Sequence, residues 1–214
     1  MIKVKENLKI GLFGTRAKYI ETAIKEFKFQ YQILDDISKI DNTFNLALGS
    51  GVYDILKKEI LNIPKYGIYG IHESLLTEGK GHAPLHWTIL SGKKILTFTL
   101  FKMAEKIDTG SLVCHYNKVI DPLDTIYELE RKRIEGIKKC SHIFFEELSQ
   151  GIVVLREQTG MSTYNPKRTK ESSMLDANKP LIELWDQIRV CHNEEYPAYF
   201  EHHGKKIYLR HDVV

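Results

Sequence analysis

Short apolar runs that end in a turn residue recur along the first third of the sequence, with helix-patterned stretches between them. LKIGLFGT (8–15) and TFNLALGSG (43–51) close at glycine, and KYGIYGIH (65–72) ends on His72. An apolar run of this length bounded by glycine reads as a strand buried on both faces. Between the runs, KYIETAIKEF (18–27) sets Ile20, Ala23, Ile24 and Phe27 at helical spacing, and VYDILKKEILN (52–62) carries the same amphipathic pattern. YQILDD (31–36) adds a further strand. Strands alternating with helices predict an α/β fold, a Rossmann-like, doubly wound and mostly parallel sheet. Ligands bind such sheets beyond the carboxyl ends of the strands. Gly14, the glycine turn at 49–51 and His72 are expected along that edge.

Downstream, the pattern predicts a helix near residues 84–91 and an alternating, strand-like segment over KILTFTLFKM (94–103). A long amphipathic helix is predicted over 124–148, with Asp124 as its N-cap. After SQG (149–151) the composition turns polar and turn-rich. The sequence therefore divides near residue 155, into a first domain over 1–155 and a small C-terminal α+β extension over 156–214. The extension should hold a helix (LIELWDQIRVCH, 181–192) and a β-hairpin (AYFEHHGKKIYLR, 198–210) that turns at His203 and Gly204. About 60 residues are too few for a comfortable core of their own, so the extension is expected to dock on the first domain.

Composition narrows the function classes. The formal net charge is +3 with the two signs interspersed, which argues against a nucleic-acid partner. No stretch approaches the roughly 20 apolar residues of a membrane span, and the first residues lack the apolar core of a signal peptide. Cys114, Cys140 and Cys191 are odd in number and far apart, the pattern of reduced thiols in a cytoplasmic protein.

Few motifs stand out on chemistry alone. GLFGTR (11–16) lacks the third glycine of a dinucleotide fingerprint, and no P-loop sequence occurs. His82 and His86 are four apart and can share a metal on one helix face. Pro84 lies between them and no third ligand completes a zinc motif, so polar side chains on a loop and first helical turn are the favoured reading. His202 and His203 read as solvated turn residues. His72 and Asp108 each follow an apolar strand-like segment and precede a loop with glycine or serine. That placement allows an imidazole–carboxylate pair at one sheet edge. It leaves open the commoner case of two unrelated polar residues at strand ends.

The stretch GIHESLLTEGKGHAPLHWTILSGKKILTFTLFKMAEKIDTGSLV (70–113) resembles the core of the folate-dependent formyltransferases. In that family a strand ends in Asn-x-His, then Pro-Ser-Leu-Leu-Pro, a basic residue with Gly, and Ala-Pro; a later strand ends in Met, a turn and Asp-Thr-Gly. The matching residues are His72, Ser74-Leu75-Leu76, Lys80-Gly81, Ala83-Pro84, Trp87, Gly92, Met103 and Asp108-Thr109-Gly110. The likeness extends over residues 8–148. Four positions depart from it: Gly70 stands for the Asn, Glu73 and Thr77 for the two prolines, and Lys80 for the usual Arg. The tail is similar to the segment that follows the catalytic domain in methionyl-tRNA and amino-sugar formyltransferases, on Arg168, Glu171, Leu175-Asp176, Ile188-Arg189 and Tyr196-Pro197. The tRNA enzymes continue into a tRNA-gripping barrel. No such domain precedes Val214 and no basic excess is present, so the resemblance points to the amino-sugar branch.

The resemblance implies a transferase that moves the formyl group of 10-formyltetrahydrofolate to the amine of a nucleotide-linked deoxyamino sugar, as in lipopolysaccharide O-antigen synthesis. It implies His72 as donor to the formyl oxygen, Asp108 as acceptor of the amine proton, and a second oxyanion donor missing at Gly70. It places folate against Gly51, Tyr53, Ser74, Leu75, Leu76, Lys80, Gly81, Leu100 and Asp108, and the acceptor against Arg168, Tyr196, Tyr199 and Phe200. It implies a homodimer involving residues after 155, with no metal, nucleic-acid or membrane partner. A catalytically weak relative that binds folate or sugar nucleotide, and a phosphoribosylglycinamide or methionyl-tRNA type of enzyme, are the alternatives.

Overall fold

The apolar runs become the inner strands of one sheet because they can be covered from both sides. The computed structural model describes residues 2–4 and 7–214. In chain order the first half forms β1 (Ile2–Lys3), β2 (Lys9–Phe13), α1 (Ala17–Ile24), β3 (Gln30–Ile33), β4 (Leu46–Ser50), α2 (Lys58–Leu61), β5 (Ile68–His72), β6 (Lys80–Gly81) and α3 (Pro84–Leu90). The second half forms β7 (Ile95–Lys102), β8 (Leu112–Val119), α4 (Ile126–Ser149), β9 (Ile152–Val153), β10 (Tyr164–Asn165), α5 (Leu181–Arg189), β11 (Ala198–His202) and β12 (Lys205–Leu209). Six strands make the central sheet in the order β3-β2-β4-β5-β7-β8. The first four are parallel, while β7 runs antiparallel to β5 and β8 antiparallel to β7. The mostly parallel, doubly wound sheet expected from the sequence is therefore present, with an antiparallel edge.

One face of the sheet is covered by α1 and α4, where Ile20, Ile24, Ile137 and Phe144 join Ile10, Leu12 and Leu48 in the main core. The other face holds Phe13, Phe44, Leu56, Leu61 and Ile68. Gly136 lets α4 lie flat on β7, since a Cβ there would fall 2.3 Å from the Phe98 ring. Thr125 caps α4 in a capping box with Glu128, a correction to the expected Asp124. Asp124 instead accepts from the Asp121 amide and pairs with Lys132.

One further expectation shifts. The helical pattern over 52–62 yields a helix only at Lys58–Leu61. The preceding loop keeps Tyr53 and Ile55 exposed, at 69% and 65%. The extension after 155 remains tied to the sheet, because Leu112 and Arg156 exchange backbone hydrogen bonds of 2.7 and 2.8 Å. Leu184 and Ile188 of α5 pack with Leu175, Cys191 and Ala198. Trp185 donates to the Pro122 carbonyl, and Arg189 to the carbonyls of Asp121 and Asp124, which docks α5 at the start of α4. The β11–β12 turn places His203 and Gly204 both at positive φ, as a two-residue hairpin of type I′ requires.

Candidate active site

Strand β5 delivers His72 to the carboxyl edge of the sheet, and the loop after it folds back over the ring. His72 Nε2 lies 2.8 Å from the Gly79 carbonyl oxygen. A carbonyl only accepts, so Nε2 carries a hydrogen. His72 Nδ1 faces Asp108 Oδ2 at 3.6 Å. A neutral ring thus presents a bare Nδ1 to the carboxylate, and only the imidazolium can donate from that atom. Asp108 sits at φ +53°, in the left-handed region. Two groups hold it there. Its Oδ2 accepts from the Gly81 amide at 2.8 Å, and Gln158 Nε2 donates to the carbonyls of Asp108 and Gly110 at 2.9 and 2.8 Å. The pair allowed by the sequence is formed.

His72 and Asp108 open into a cleft of about 650 Å³. One wall is apolar, with Tyr53, Ile55, Leu56, Phe101, Met103 and Ile107. At its base Gly51 cannot carry a side chain, because a Cβ would lie 2.2 Å from Thr15 Oγ1. The other wall is charged. Glu73 is 6% exposed, lies 3.6 Å from Arg16 Nη1, and sits 3.0 Å from Arg133 Nε but off the axis of a hydrogen bond. Burial works to raise the Glu73 pKa, yet Arg133 and Arg16 outweigh it and hold the carboxyl below its ordinary value. Burial likewise opposes the charge on Arg133, which Glu73 and Glu130 restore. His86 is pushed down to about 3 by burial and then by Arg168, Arg133 and Arg16, and its buried Nδ1 has no hydrogen-bond partner among the described residues. Tyr196 is pushed up to about 12, chiefly by burial.

A family model described as formyl transferase matches residues 32–140, about half of the chain. The chain belongs to the formyl transferase family. The methionyl-tRNA formyltransferase of Bacillus velezensis is 37% identical over 146 residues, 68% of this chain and 46% of that protein. The chain thus spans about half the length of the curated relatives it matches. Among solved structures, a 4-N formyltransferase from Francisella tularensis superposes with a TM-score of 0.81 at 15% identity, over 97% of this chain and 98% of that one. A formyltransferase from Anoxybacillus kamchatkensis, in complex with UDP-4,6-dideoxy-4-formamido-L-AltNAc and tetrahydrofolate, gives 0.64 at 20% identity, over 76% and 87%. At these identities the likeness is one of fold.

In this chain the cleft brings together Gly51, Tyr53, Gly70, His72, Gly81, Asp108, Arg168 and Tyr196. It does not bring in every residue expected from the resemblance. The segment 159–165 lies over the loop after His72, where Thr77 donates to the carbonyls of Thr159 and Met161. Lys80 is 3% exposed under that cover, with Nζ on Ser162 Oγ and over the Tyr164 ring. Ser74 Oγ donates to Glu78 and Gly79 carbonyls, Leu76 is buried, and Leu75 is exposed outside the cleft. The Leu100 side chain is in the main core, and Phe101 is the one that turns to the cleft. Tyr199 is buried against Tyr208, and Phe200 packs in the small core of the extension. Among the described residues no three His, Cys, Asp or Glu side chains converge as a metal site, and His82 and His86 are two separate members of the cleft wall.

Sequence reasoning missed Arg16, Glu73, Glu130 and Arg133. The available signal was Glu73 itself, a carboxylate where the resemblance has proline. Gly70 also has a structural counterpart: a Cβ there would lie 2.6 Å from Met103 Cε and 3.3 Å from the Phe101 ring. Met103 occupies the space an asparagine side chain would need.

Proposed function

We propose that this chain transfers a formyl group from 10-formyltetrahydrofolate to the amine of a nucleotide-linked deoxyamino sugar. The observation that carries the reading is the single cleft that joins an apolar wall, a His72–Asp108 pair and a charged wall that includes Arg16, Arg133 and Arg168. Exposed Tyr53, Ile55 and Ile107 against glycine backbone suit the flat face of a pterin, and the guanidiniums of Arg16 and Arg168 suit an acceptor bearing anions. A folate donor supplies the formyl carbon when bound. This chain's residues orient it and handle the proton. As the amine bonds to the formyl carbon and the formyl–nitrogen bond of the donor breaks, Asp108 is placed to take the proton lost by the amine, which is returned to the departing tetrahydrofolate nitrogen, and His72 as imidazolium to donate from Nδ1 to the formyl oxygen, each role worth roughly 10²–10⁴ in rate. With Met103 beside Gly70, His72 is left as the side-chain donor.

The same reading includes a cytoplasmic homodimer built on β11 and β12, where Ile207 and Tyr208 are 39% and 56% exposed. The test is incubation of the full chain with 10-formyltetrahydrofolate, a panel of nucleotide-linked amino sugars, and methionyl-tRNA, with formamide detected by mass spectrometry. Formylation of a sugar nucleotide is expected. Formylation of methionyl-tRNA alone would overturn the reading.

A further inference from the structure

Strand β7 runs between β5 and β8, and Thr99 sits opposite His72 on one side and His115 on the other. Thr99 is wholly buried and its hydroxyl is fully used. Oγ1 donates to the Ser74 carbonyl at 2.6 Å, accepts from the Leu76 amide at 3.4 Å, and lies 2.9 Å from His115 Nδ1. A hydroxyl has one hydrogen and the Ser74 carbonyl takes it, so His115 is the donor at Nδ1. Burial and then Arg156 lower the His115 pKa, so the ring is neutral near pH 7 and carries its one hydrogen there. Ser74 and Leu76 belong to the loop that folds back over His72. Ser74 Oγ in turn shares its hydrogen between the carbonyls of Glu78 at 2.8 Å and Gly79 at 3.2 Å. The Gly79 carbonyl is the acceptor of His72 Nε2. Hydrogen bonds thus link, residue by residue, an exposed histidine on β8 to the histidine of the cleft. Thr97, two residues earlier on the same face of β7, makes a contrasting bond. Its hydroxyl donates to Asn117 Oδ1 at 2.9 Å, across to β8 and away from the loop.

We propose that Thr99 is a positioning residue for His72: from β7 it clamps the backbone at Ser74 and Leu76, and so aims the Gly79 carbonyl that keeps the hydrogen of the neutral His72 ring on Nε2. His115 completes the clamp from β8. Which imidazole nitrogen carries the hydrogen is set by the bond the other makes. With Nε2 fixed, Nδ1 is free to face Asp108 and the reacting group. Without the clamp the loop slackens, Nε2 loses its fixed acceptor, and the hydrogen can pass to Nδ1, where Asp108 accepts it. The inference rests on the proposed function in giving His72 its part in formyl transfer; the position of the ring hydrogen can be read apart from that.

Long-range proton–nitrogen NMR spectra of the full chain, recorded in alkaline buffer where imidazole is neutral, read the tautomer of each ring without substrate. The native chain should show His72 protonated at Nε2 and His115 at Nδ1. Thr99→Val keeps the shape of the side chain and removes the hydroxyl. In that variant His72 should become a mixture of both tautomers, and kcat for formyl transfer should fall about 10-fold with the KM for 10-formyltetrahydrofolate unchanged. Thr99→Ser should restore both readings. Thr97→Val removes a buried hydroxyl from the same face of the strand and should leave the His72 tautomer and kcat as they are in the native chain. Ser74→Ala removes the next link and is the second variant if Thr99→Val does not fold; it should give the same mixture. Tetrahydrofolate affinity serves as the folding control. An unchanged His72 tautomer in folded Thr99→Val and Ser74→Ala, or the same change in Thr97→Val, would overturn the positioning role. A tautomer that responds as expected in a chain that formylates no acceptor would sink the proposed function and leave the clamp. A rate that falls in Thr99→Val while the tautomer holds would sink the clamp and leave the proposed function.

Discussion

His72 commits one ring nitrogen to the Gly79 carbonyl, so everything it does for a substrate passes through Nδ1 and the face shared with Asp108. His86 behaves differently. Burial, with Arg168, Arg133 and Arg16, lowers it to about 3 from an ordinary 6.5. Between those values the unfolded chain binds a proton that the folded chain refuses, so stability falls as pH drops from 6.5 towards 3. The Glu73 carboxyl, held below its ordinary 4.5, adds to the loss only further down. Burial lowers His115 and His211 as well, so it is the comparison of the native chain with His86→Gln, in urea at pH 7 and pH 5, that isolates His86. The native chain should lose more stability between the two than His86→Gln does, and equal losses would exclude the buried neutral ring. Gly70→Asn tests the other unusual residue. The new side chain must displace Met103 Cε, the mobile end of an unbranched chain, so the cost should be about 1 kcal/mol, part of which Met103→Ala recovers in the double variant. Chemical denaturation of the three variants reads this directly.

The element with most influence on the pair is the strap at 158–165. It pairs β10 in parallel with β6, covers Lys80, and through Gln158 holds the left-handed Asp108. Gln158→Leu removes both donations, leaving two carbonyls short of a partner and Asp108 free to leave its orientation. Formyl transfer should fall by about 10-fold while tetrahydrofolate affinity holds, because the variant leaves the apolar wall intact. A loss confined to folate affinity would show that the strap shapes the pocket and not the pair. The strap was invisible in the sequence because its residues are polar and turn-rich, and their partners lie far away in the chain. The loop before α2 failed for another reason. Its Ile55 and Leu56 continue a helical spacing, but Ile55 faces the cleft, and periodicity cannot tell a core from a ligand. The inner strands were legible, since apolar runs closed by glycine have few other uses.

At the scale of the whole molecule, the cleft draws on the β4 and β5 ends, the antiparallel edge, the start of α3, α4 and the extension. His72 was readable because it ends an apolar strand at the ligand-binding edge, and Asp108 because it lies in the loop that follows the neighbouring apolar strand. Arg16, Glu73 and Arg133 were not, because an ion cluster spread over three elements leaves no local pattern. The exposed face of β12 argues for assembly, and light scattering at micromolar concentration should give twice the 24.8 kDa chain mass. A particle of one chain mass would refute the dimer. The central claim is that His72 and Asp108 carry the chemistry between a folate wall and an acceptor wall. Single-turnover formyl transfer by Asp108→Ala, with substrate affinities measured beside it, tests that most directly. The account predicts a rate lower by about 10² or more with both substrates still bound; an unchanged rate in that variant would contradict it.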